Sequence, residues 1–358
     1  MIFLINFIIG TKAQFIKCIP VINKFIENDV KISIYDLKQH SQITSKLRNK
    51  ITNNYEYIEF SKNNKNLGTY FGLIKWFINN LLKIIFIRQK ELKSRYCFVH
   101  GDTLSTLLGS FLVKMNKGKL ILLEAGHPVP GIFKHFPESV IRYICAKLSD
   151  ILIANGKSQL KQLDKWNIKG EIIEISTNTI YDSVSNVKMD KRETNDVIIS
   201  IHRTENINSK KRMRLLVESI SNISEDFDIT WYLHIPTKNK LQSFNLLNDL
   251  KDNGVETKDL EEYDIFINKL NNSQFVITDG GGVVEECSII GIPTLVWRNE
   301  HLDQNHIFEN SQNLFLCNYH EKDIDYFLKN YKKFKTDFKK NDTLPSSQIV
   351  NILKKRIL

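Results

Sequence analysis

The chain has 358 residues, of which 42% are hydrophobic and 25% are charged. At roughly 150 residues per domain this length predicts two globular domains, and the composition excludes a disordered chain and a coiled coil. Fifty Lys and Arg against 40 Asp and Glu give a formal net charge of +10, which favours an acidic small molecule, a nucleic acid or an anionic membrane as partner.

In the first half of the chain, short apolar runs alternate with longer segments of helical period. This alternation is typical of βα units around a parallel sheet. The predicted strands are, in order, IFLINFIIG, KISIYD, YCFVH, LILLE, DILIAN and EIIEI. The opening run lacks the basic start and the cleavage site of a signal peptide, so we interpret it as a buried strand. The longest apolar stretch, 70–87, contains Lys75 and Lys83 and is predicted to be an amphipathic helix rather than a membrane span.

A polar stretch, 181–195, follows the sixth predicted strand, and we interpret it as a linker between two domains. The same alternation then resumes with DVIISIH, ITWYLHI, QFVITDG and PTLVW. The sequence therefore predicts an α/β fold with two Rossmann-like, doubly wound domains that face a central cleft. The expected boundaries are 1–182 for the first domain, 190–341 for the second and 342–358 for a final helix.

The cysteines indicate the redox state of the compartment in which the protein resides. All five are far apart in the sequence, and none belongs to a C-x-x-C pair. This pattern argues against a disulfide framework and against a zinc site, and it favours a reducing environment. We therefore expect a cytoplasmic protein without a metal centre.

Three acidic residues follow predicted strands or begin predicted helices, where open parallel sheets bind their ligands. They are Asp102 in HGDT, Glu124 in LEAGH and Glu138 in FPESVIR. Taken singly, Asp102 and Glu138 are better explained as residues that begin a helix than as catalysts. Glu124 directly ends an apolar strand, where a carboxylate is costly unless it faces a polar cleft. Together the three could move protons on a sugar, provided that burial and mutual repulsion raise at least one of their pKa values.

A glycine-rich helix start in the second half, DGGGVVEE, is suited to binding a phosphate. Gly280, Gly281 and Gly282 allow close approach to the backbone N–H groups of a helix N-terminus, although tight packing alone also selects glycine. Glu286, one turn later, could bind ribose hydroxyl groups or lie on a solvated face.

Cationic residues at other strand ends could complete a diphosphate site. His202 and Arg203 end the strand DVIISIH, and Lys12 follows the first strand. Each could donate to a phosphate, although a strand-end His is more often structural and Lys12 could be a solvated loop residue. Near the carboxyl terminus, the basic run FLKNYKKFKTDFKK could contact a membrane or a nucleic acid, but an amphipathic helix with a solvated basic face is the simpler interpretation.

Six motifs in this order resemble the bacterial UDP-N-acetylglucosamine 2-epimerase family. They are GTKAQFIKCIPVI, VHGDTLSTLLG, LEAGHPVPG, FPESVIR, IHRTEN and ITDGGGVVEECSIIGIPTLV, and the match spans residues 4 to 320. The resemblance implies a GT-B type fold whose final helix crosses back to the first domain. It also implies an enzyme that needs no metal, nicotinamide or other cofactor. In the family, a base removes the proton on carbon 2 while UDP leaves carbon 1, and the bound 2-acetamidoglucal takes back UDP or adds water.

The resemblance also assigns residues to roles. Asp102, Glu124 and Glu138 match the catalytic acids, and His202 matches a histidine near the phosphates. The nucleotide site would include the residues that match the family's glycines, its ribose-binding glutamate and its residue near uracil, and also the cations described above. These residues are Lys12, Arg203, Phe266, Gly280, Gly281, Gly282 and Glu286.

Several positions depart from the family pattern. Lys12 stands in place of an Arg, Pro128 replaces the Arg of EAGLR, and Gly280 replaces the Ser of DSGG. His301, Leu302 and Asp303 replace Thr-Glu-Arg.

The sequence favours an epimerase acting on a UDP-linked 2-acetamido sugar, for surface polysaccharide synthesis. A GT-B glycosyltransferase is the main alternative, and a non-catalytic nucleotide-sugar sensor is a third. The expected partner is a UDP-sugar and not a nucleic acid; a peripheral membrane contact and a homodimer both stay open.

Overall fold

The structure is a computed structural model that describes residues 4–39, 46–52, 54–61, 70–87, 89–129, 131, 136–299 and 311–357. The chain divides into two compact units. The first unit comprises 1–183 together with 342–358, and the second comprises 184–341.

The first unit contains a sheet of seven parallel strands. They are β1 (Leu4–Ile9), β2 (Lys31–Asp36), β3 (Tyr55–Glu59), β4 (Tyr96–His100), β5 (Lys119–Leu123), β6 (Ile151–Asn155) and β7 (Glu171–Ile175). Their spatial order is β3-β2-β1-β4-β5-β6-β7. This is a doubly wound sheet whose strand order reverses between β1 and β4. All six predicted strands are present, and β3 is the one that sequence analysis missed because its YEYIE sequence is half exposed at the sheet edge.

The second unit contains a sheet of six parallel strands. They are β8 (Asp196–Ser200), β9 (Asp228–Leu233), β10 (Glu256–Asp259), β11 (Phe275–Thr278), β12 (Thr294–Val296) and β13 (Leu314–Leu316). Their order is β10-β9-β8-β11-β12-β13, with the reversal between β8 and β11. The prediction of two doubly wound α/β domains is therefore confirmed. The strands β10 and β13 were not predicted, since both are short and lie at the edges of the sheet.

The helices cover the faces of these sheets. In the first unit they are α1 (Lys12–Ile26), α2 (Tyr70–Phe86), α3 (Leu104–Met115), α4 (Glu138–Leu148), α5 (Lys157–Lys165), α6 (Ile180–Ser185), which runs across the boundary of the unit, and α14 (Pro345–Ile357). In the second unit they are α7 (Thr204–Ile207), α8 (Lys210–Ser221), α9 (Ile235–Ser243), α10 (Leu246–Asp252), α11 (Tyr263–Asn272), α12 (Gly281–Ile290) and α13 (Glu321–Asn330). Short 3-10 turns occur at Lys90–Leu92 and Tyr331–Phe334.

Local sequence explains where these helices begin. Thr11 caps α1, and Gln14 completes a reciprocal capping box with it. The side-chain amide of Gln14 also donates to the carbonyl oxygen of His100 at 2.8 Å. The first turn of α1 is thereby tied to the carboxyl end of β4, next to the point where the strand order reverses.

The carboxyl-terminal helix α14 packs on α1 within the first unit. Its beginning is held by Asp182, whose carboxylate accepts hydrogen bonds from the backbone N–H and the hydroxyl of Ser346. Asp182 lies in α6, with Tyr181 and Val184 also buried. The prediction of a polar linker from residue 181 is therefore wrong for its first residues, because the side chains of this short helix pack inward.

Two other segments were predicted to be amphipathic helices. The basic run 327–340 is helical only to Asn330 and continues as the 3-10 turn Tyr331–Phe334, so that prediction is wrong for the rest of the run. The stretch 70–86 is helical, as its period indicated. In the basic run near the carboxyl terminus, Phe327 is fully buried and Phe334 packs against the same core. Phe327 and Phe334 therefore stabilise the second unit. Among the described residues, no helix is both long enough and apolar enough to span a bilayer.

Candidate active site

Glu124 follows β5 directly and adopts a left-handed backbone conformation with φ of 58°. For a residue with a side chain this conformation costs roughly 1–2 kcal/mol, and such strain is concentrated at functional sites. The next residues, Ala125 and Gly126, complete a turn in which Gly126 also has a positive φ of 78°. The turn places the Glu124 carboxylate at the carboxyl ends of the parallel strands, where ligands of this fold class bind.

The Glu124 carboxylate is held by three side chains. Lys17, from α1, donates to both carboxylate oxygens at 2.9 Å, and Asn178 Nδ2 donates to Oε1 at 2.8 Å. His100 Nε2 lies 3.2 Å from Oε2. Burial alone would raise the pKa of Glu124, but the Lys17 ammonium group, His100 and His127 together lower this pKa to about 2. Glu124 is therefore ionised at neutral pH, which is the opposite of the raised pKa that sequence analysis required of at least one acid.

Asp102 lies two residues after β4 and is bound by Arg142 of α4. The Arg142 Nε donates to Asp102 Oδ2 at 2.6 Å, and Nη2 contacts the same oxygen. The helix that follows Asp102 is capped by Thr103, whose side chain accepts from the backbone N–H of Thr106. Asp102 is therefore not the helix cap, and its carboxylate contacts a cation at the edge of the sheet.

Glu138 is the first residue of α4 and is exposed. Pro137, and not Glu138, occupies the N-cap position of this helix. Residues four apart lie on the same face of a helix. Glu138 therefore projects from the helix face that also carries Arg142, the partner of Asp102.

Two imidazole groups accompany these acids. Burial lowers the pKa of His100 to about 4, although the charge of Glu124 opposes the shift. Burial and the charge of Arg142 lower the pKa of His127 to about 4, against the charges of Glu124 and Asp102. Both side chains are therefore neutral at neutral pH, and each can either donate or accept a hydrogen bond. The first unit thus combines three carboxyl groups with two cations and two neutral imidazoles.

In the second unit, the Asp279 carboxylate organises the ends of β8 and β11. It is fully buried and accepts from the backbone N–H groups of His202 at 2.9 Å and Arg203 at 3.0 Å. Asn206 Nδ2 donates to the same carboxylate at 2.8 Å. The buried Arg298 donates through Nε to the backbone carbonyl of Asp279 at 2.8 Å. These contacts fix the turn that carries His202 and Arg203 next to the start of α12.

Gly280 is the N-cap of α12 and lies against His202. A Cβ atom at Gly280 would come within 2.6 Å of His202 Cε1, so the imidazole occupies the space of a side chain at this position. The His202 ring also packs on His234, with 4.5 Å between the ring centroids. The pKa of His202 is lowered, mainly by burial and further by Arg203 and Arg298. A neutral imidazole and two arginines therefore accompany a helix N-terminus, which is a favourable arrangement for a bound anion.

Glu286 is buried rather than solvated. It interacts with the hydroxyl of Tyr263, and burial together with the Glu286 charge raises the pKa of Tyr263 well above its ordinary value. Phe266 lies one turn after Tyr263 in α11, and its ring packs edge to face on Tyr232 with centroids 5.4 Å apart. Helix α11 therefore contacts Glu286, the residue assigned to ribose, through Tyr263. The same helix carries Phe266, the residue assigned to uracil.

The remaining predicted site residues have these positions. Lys12 is half-buried in the first turn of α1. Arg203 is half-buried and forms an ion pair with Glu205 at 3.3 Å. Gly281 and Gly282 form the first turn of α12. His301, Leu302 and Asp303 lie outside the residues that the structure describes.

Sequence analysis missed several residues of both sites. Lys17 had a signal, since it is a lone cation among the apolar residues of FIKCIPVI, where a buried charge needs a partner. Asp279 ends the apolar strand FVIT in the same way as Glu124 ends its own strand. Sequence analysis identified neither Arg142 nor Asn178. Among the described residues, no group of three or more His, Cys, Asp or Glu side chains could hold a metal ion.

Comparison with known proteins gives a consistent result. Residues 34–353 match the family model described as UDP-N-acetylglucosamine 2-epimerase. The chain is 29% identical over 318 residues to the UDP-N-acetylglucosamine 2-epimerase of Methanocaldococcus jannaschii, which covers 82% of this chain and 83% of that protein. It is 27% identical over 317 residues to the enzyme of the same name from Campylobacter jejuni, covering 81% and 80%.

Solved structures share the fold. The crystal structure of the Methanocaldococcus jannaschii UDP-GlcNAc 2-epimerase in complex with UDP-GlcNAc and UDP superimposes with a TM-score of 0.81 at 24% identity, covering 98% of this chain and 99% of that one. The structure of UDP-GlcNAc 2-epimerase from Neisseria meningitidis bound to UDP-GlcNAc gives a TM-score of 0.78 at 19% identity, covering 98% and 100%. The fold is therefore the GT-B type of these enzymes.

Proposed function

Because the chain belongs to the UDP-N-acetylglucosamine 2-epimerase family, we propose that it interconverts UDP-N-acetylglucosamine and UDP-N-acetylmannosamine. The observation that carries this proposal is the set of carboxylates at the strand ends of the first unit, with Glu124 and Asp102 each held by a cation. Sugar transfer to an acceptor does not need so many acids. Proton removal and return at carbon 2 requires groups that both take and give a proton.

We assign the uridine diphosphate to the second unit. The N-terminus of α12 offers backbone N–H groups beginning at Gly281, and His202 and Arg203 stand beside it. A diphosphate gains from the helix dipole and from these side chains together. Glu286 and Phe266 are assigned to ribose and uracil, and Lys12 to the diphosphate, as the family resemblance implies.

We assign the sugar chemistry to the first unit. The electron pair of the bond between carbon 2 and its hydrogen forms a double bond to carbon 1, while the bond from carbon 1 to the UDP oxygen breaks. The proton passes to a carboxylate. We assign proton transfer to Asp102 and Glu138, because the lowered pKa of Glu124 makes it a weak base. UDP then adds back to carbon 1 of the bound 2-acetamidoglucal while a proton returns to the opposite face of carbon 2.

The ionised Glu124 has a different part in this proposal. Its charge keeps the Lys17 ammonium group in place beside the neutral imidazole of His100. Fixed charges of this kind stabilise charge that develops in a transition state without rearranging during the reaction. Loss of the Lys17 charge would therefore slow the reaction even though Lys17 transfers no proton.

The product would be a building block for a surface polysaccharide, made in the cytoplasm. All five cysteines are buried and unpaired, which is compatible with a reducing compartment.

Incubation with UDP-N-acetylglucosamine in deuterated water tests the proposal without any sugar acceptor. We expect deuterium at carbon 2, together with the manno isomer, in the NMR spectrum. Release of free N-acetylmannosamine instead of its UDP derivative would indicate that water, and not UDP, adds to the intermediate. If no deuterium enters carbon 2 and UDP is released only after a glycan or lipid-linked acceptor is added, the protein is a glycosyltransferase and the proposal is wrong.

A further inference from the structure

Two consecutive residues after β13 have a left-handed backbone conformation. The φ angle is 51° for Asn318 and 60° for Tyr319. This conformation is uncommon for any residue with a side chain, and it is an outlier for a bulky residue such as tyrosine. Backbone strain of this kind persists only where the surrounding structure holds it, and it is concentrated at functional sites. The Tyr319 side chain is therefore expected to make a contact that offsets the strain.

The Tyr319 hydroxyl makes such a contact with Asn206. It donates to the side-chain carbonyl oxygen Oδ1 of Asn206 at 2.8 Å. The phenol ring packs edge to face on Trp297, with 5.9 Å between the ring centroids, and the Arg212 guanidinium lies 4.1 Å from the centroid of the phenol ring. Burial raises the pKa of Tyr319 to about 12, although the charge of Arg212 opposes the shift. The hydroxyl is therefore protonated at neutral pH and is a permanent donor to Asn206.

Asn206 lies in α7, is fully buried and contacts the ends of several strands. Its Nδ2 donates to Asp279 Oδ2 at 2.8 Å and to the backbone carbonyl oxygen of Trp297 at 3.0 Å. Asp279 directly follows β11, Trp297 directly follows β12, and Tyr319 follows β13. These three strands are neighbours in the sheet. One amide group therefore connects the carboxyl ends of three adjacent strands.

The groups around Asn206 permit one orientation of its amide. The Asp279 carboxylate and the Trp297 carbonyl oxygen can only accept, so they require the NH₂ group on their side. The amide oxygen then faces the Tyr319 hydroxyl. Among the described residues, Arg212 also donates to this oxygen, but at 3.5 Å, which is longer than a typical hydrogen bond. Without the Tyr319 hydroxyl, a buried acceptor would lose its short hydrogen bond, which is unfavourable.

The Asp279 carboxylate extends this arrangement to the candidate diphosphate site. Its Oδ2 accepts from Asn206 Nδ2 and from the backbone N–H of Arg203. Its Oδ1 accepts from the backbone N–H of His202. A shift of the Asn206 amide away from Asp279 would therefore loosen the turn that carries His202 and Arg203.

We propose that Tyr319 is a positioning residue of the diphosphate site, which acts through Asn206 and Asp279 on the turn at His202 and Arg203. The left-handed backbone of Tyr319 brings the phenol from the end of β13 to Asn206. Tyr319 itself touches no phosphate in this proposal. The inference rests on the proposed function, because it assumes that the second unit binds the diphosphate of UDP.

Tyr319→Phe removes the hydroxyl and keeps the ring, and calorimetric titration with UDP and with uridine tests the proposal. We expect the Kd for UDP to rise about tenfold, because the turn is no longer held in the arrangement that binds phosphate. Uridine lacks the phosphates, and its contacts are assigned to Phe266 in α11 and Glu286 in α12. The Kd for uridine should therefore be the same as in the wild type.

Tyr331→Phe is the matched control. Tyr331 donates to the side-chain carbonyl oxygen of Gln274 at 3.2 Å and, like Tyr319, is partly buried against the core of the second unit. Gln274 precedes β11, at the end of this strand opposite to Asp279. The control variant therefore loses the same kind of hydrogen bond, and we expect it to bind UDP as the wild type does.

Hydrogen exchange of the backbone N–H groups of His202 and Arg203, measured without nucleotide, gives a second readout. Both groups donate to Asp279, so their exchange reports how firmly the turn is held. We expect exchange at both positions to be about tenfold faster in Tyr319→Phe and unchanged in Tyr331→Phe. Thermal unfolding verifies that both variants fold, which we expect because each loses a single oxygen atom.

The proposal is overturned if Tyr319→Phe and Tyr331→Phe have the same Kd for UDP, or if Tyr319→Phe weakens the binding of uridine as much as that of UDP. It is equally overturned if exchange at His202 and Arg203 is unchanged in Tyr319→Phe. A wild type that binds neither UDP nor uridine overturns the proposed function and this inference with it. A wild type that binds UDP and exchanges the proton at carbon 2 supports the proposed function, whatever the result for Tyr319→Phe.

Discussion

Replacement of Lys17 by Met removes the cation from the Glu124 carboxylate while keeping most of the side-chain volume. In the folded protein the pKa of Glu124 is about 2, against an ordinary value of 4.5. At 1.36 kcal/mol per pKa unit this difference contributes about 3 kcal/mol to folding. Because folding lowers the pKa, the contribution is fully present above pH 4.5 and is lost as the pH falls towards 2. Because His100 and His127 also lower this pKa, Lys17 supplies only part of this contribution, and we expect Lys17→Met to lower the free energy of unfolding by up to about 3 kcal/mol at neutral pH.

Urea unfolding measured at neutral pH and at several acidic values provides the assay. The difference between wild type and Lys17→Met should shrink between pH 4.5 and 2, because protonation removes the uncompensated charge of Glu124. Lys114→Met is the matched control, since Lys114 pairs with Asp150 at 3.0 Å but both side chains are about one-third exposed. An exposed pair of this kind contributes about 1 kcal/mol or less. Equal losses in the two variants, or a difference that grows on acidification, would refute the electrostatic reasoning.

Other contacts lead to three further predictions. Asp102→Asn should lower kcat by about a hundredfold to ten-thousandfold and leave the Kd for UDP, measured by calorimetry, unchanged; near wild-type turnover would contradict its assignment. Gly280→Ser should raise the Kd for UDP about tenfold, because its Cβ would lie 2.6 Å from His202 Cε1 and would displace the imidazole. In a His202→Ala background the same change should have no further effect on the Kd. An additive loss of affinity would exclude this cause. Burial raises the pKa of Asp182 from 3.8 to about 6, so ionisation of this residue lowers the free energy of unfolding by about 3 kcal/mol as the pH rises through this range. Asp182→Asn should remove this dependence of stability on pH. Parallel pH profiles of stability for the wild type and the variant would contradict this prediction.

Much of the fold could be predicted because it depends on local pattern. A period of two or a continuous apolar run specifies a buried strand, and the period of 3.6 in 70–86 specifies a helix. The missed strands lie at sheet edges, where β3 is half exposed and carries no continuous apolar run. The first residues of the predicted linker were misinterpreted because Asp182 is polar but is buried by its contact with Ser346. Polarity in the sequence indicates exposure only when no distant partner is present.

The positions of the candidate site residues were also open to prediction from the sequence. Glu124 ends an apolar strand, and parallel strands bring their carboxyl ends to one edge of a sheet. The same rule predicts from the sequence alone that Asp102, His202 and Gly280 lie at strand ends. Residue type and strand order therefore indicated which side chains could take part in binding and catalysis.

The sequence by itself determined most of the strands and the loops after them that carry the polar residues, because these follow from spacing along a short stretch of chain. Only the tertiary structure decided the electrostatic state of the site. Lys17 is separated from Glu124 by 107 residues and Arg142 from Asp102 by 40, so no local pattern shows that they form pairs. The ionisation of a carboxyl group depends on which charges lie within a few ångströms and on how much water remains. Both are set by the way distant elements pack.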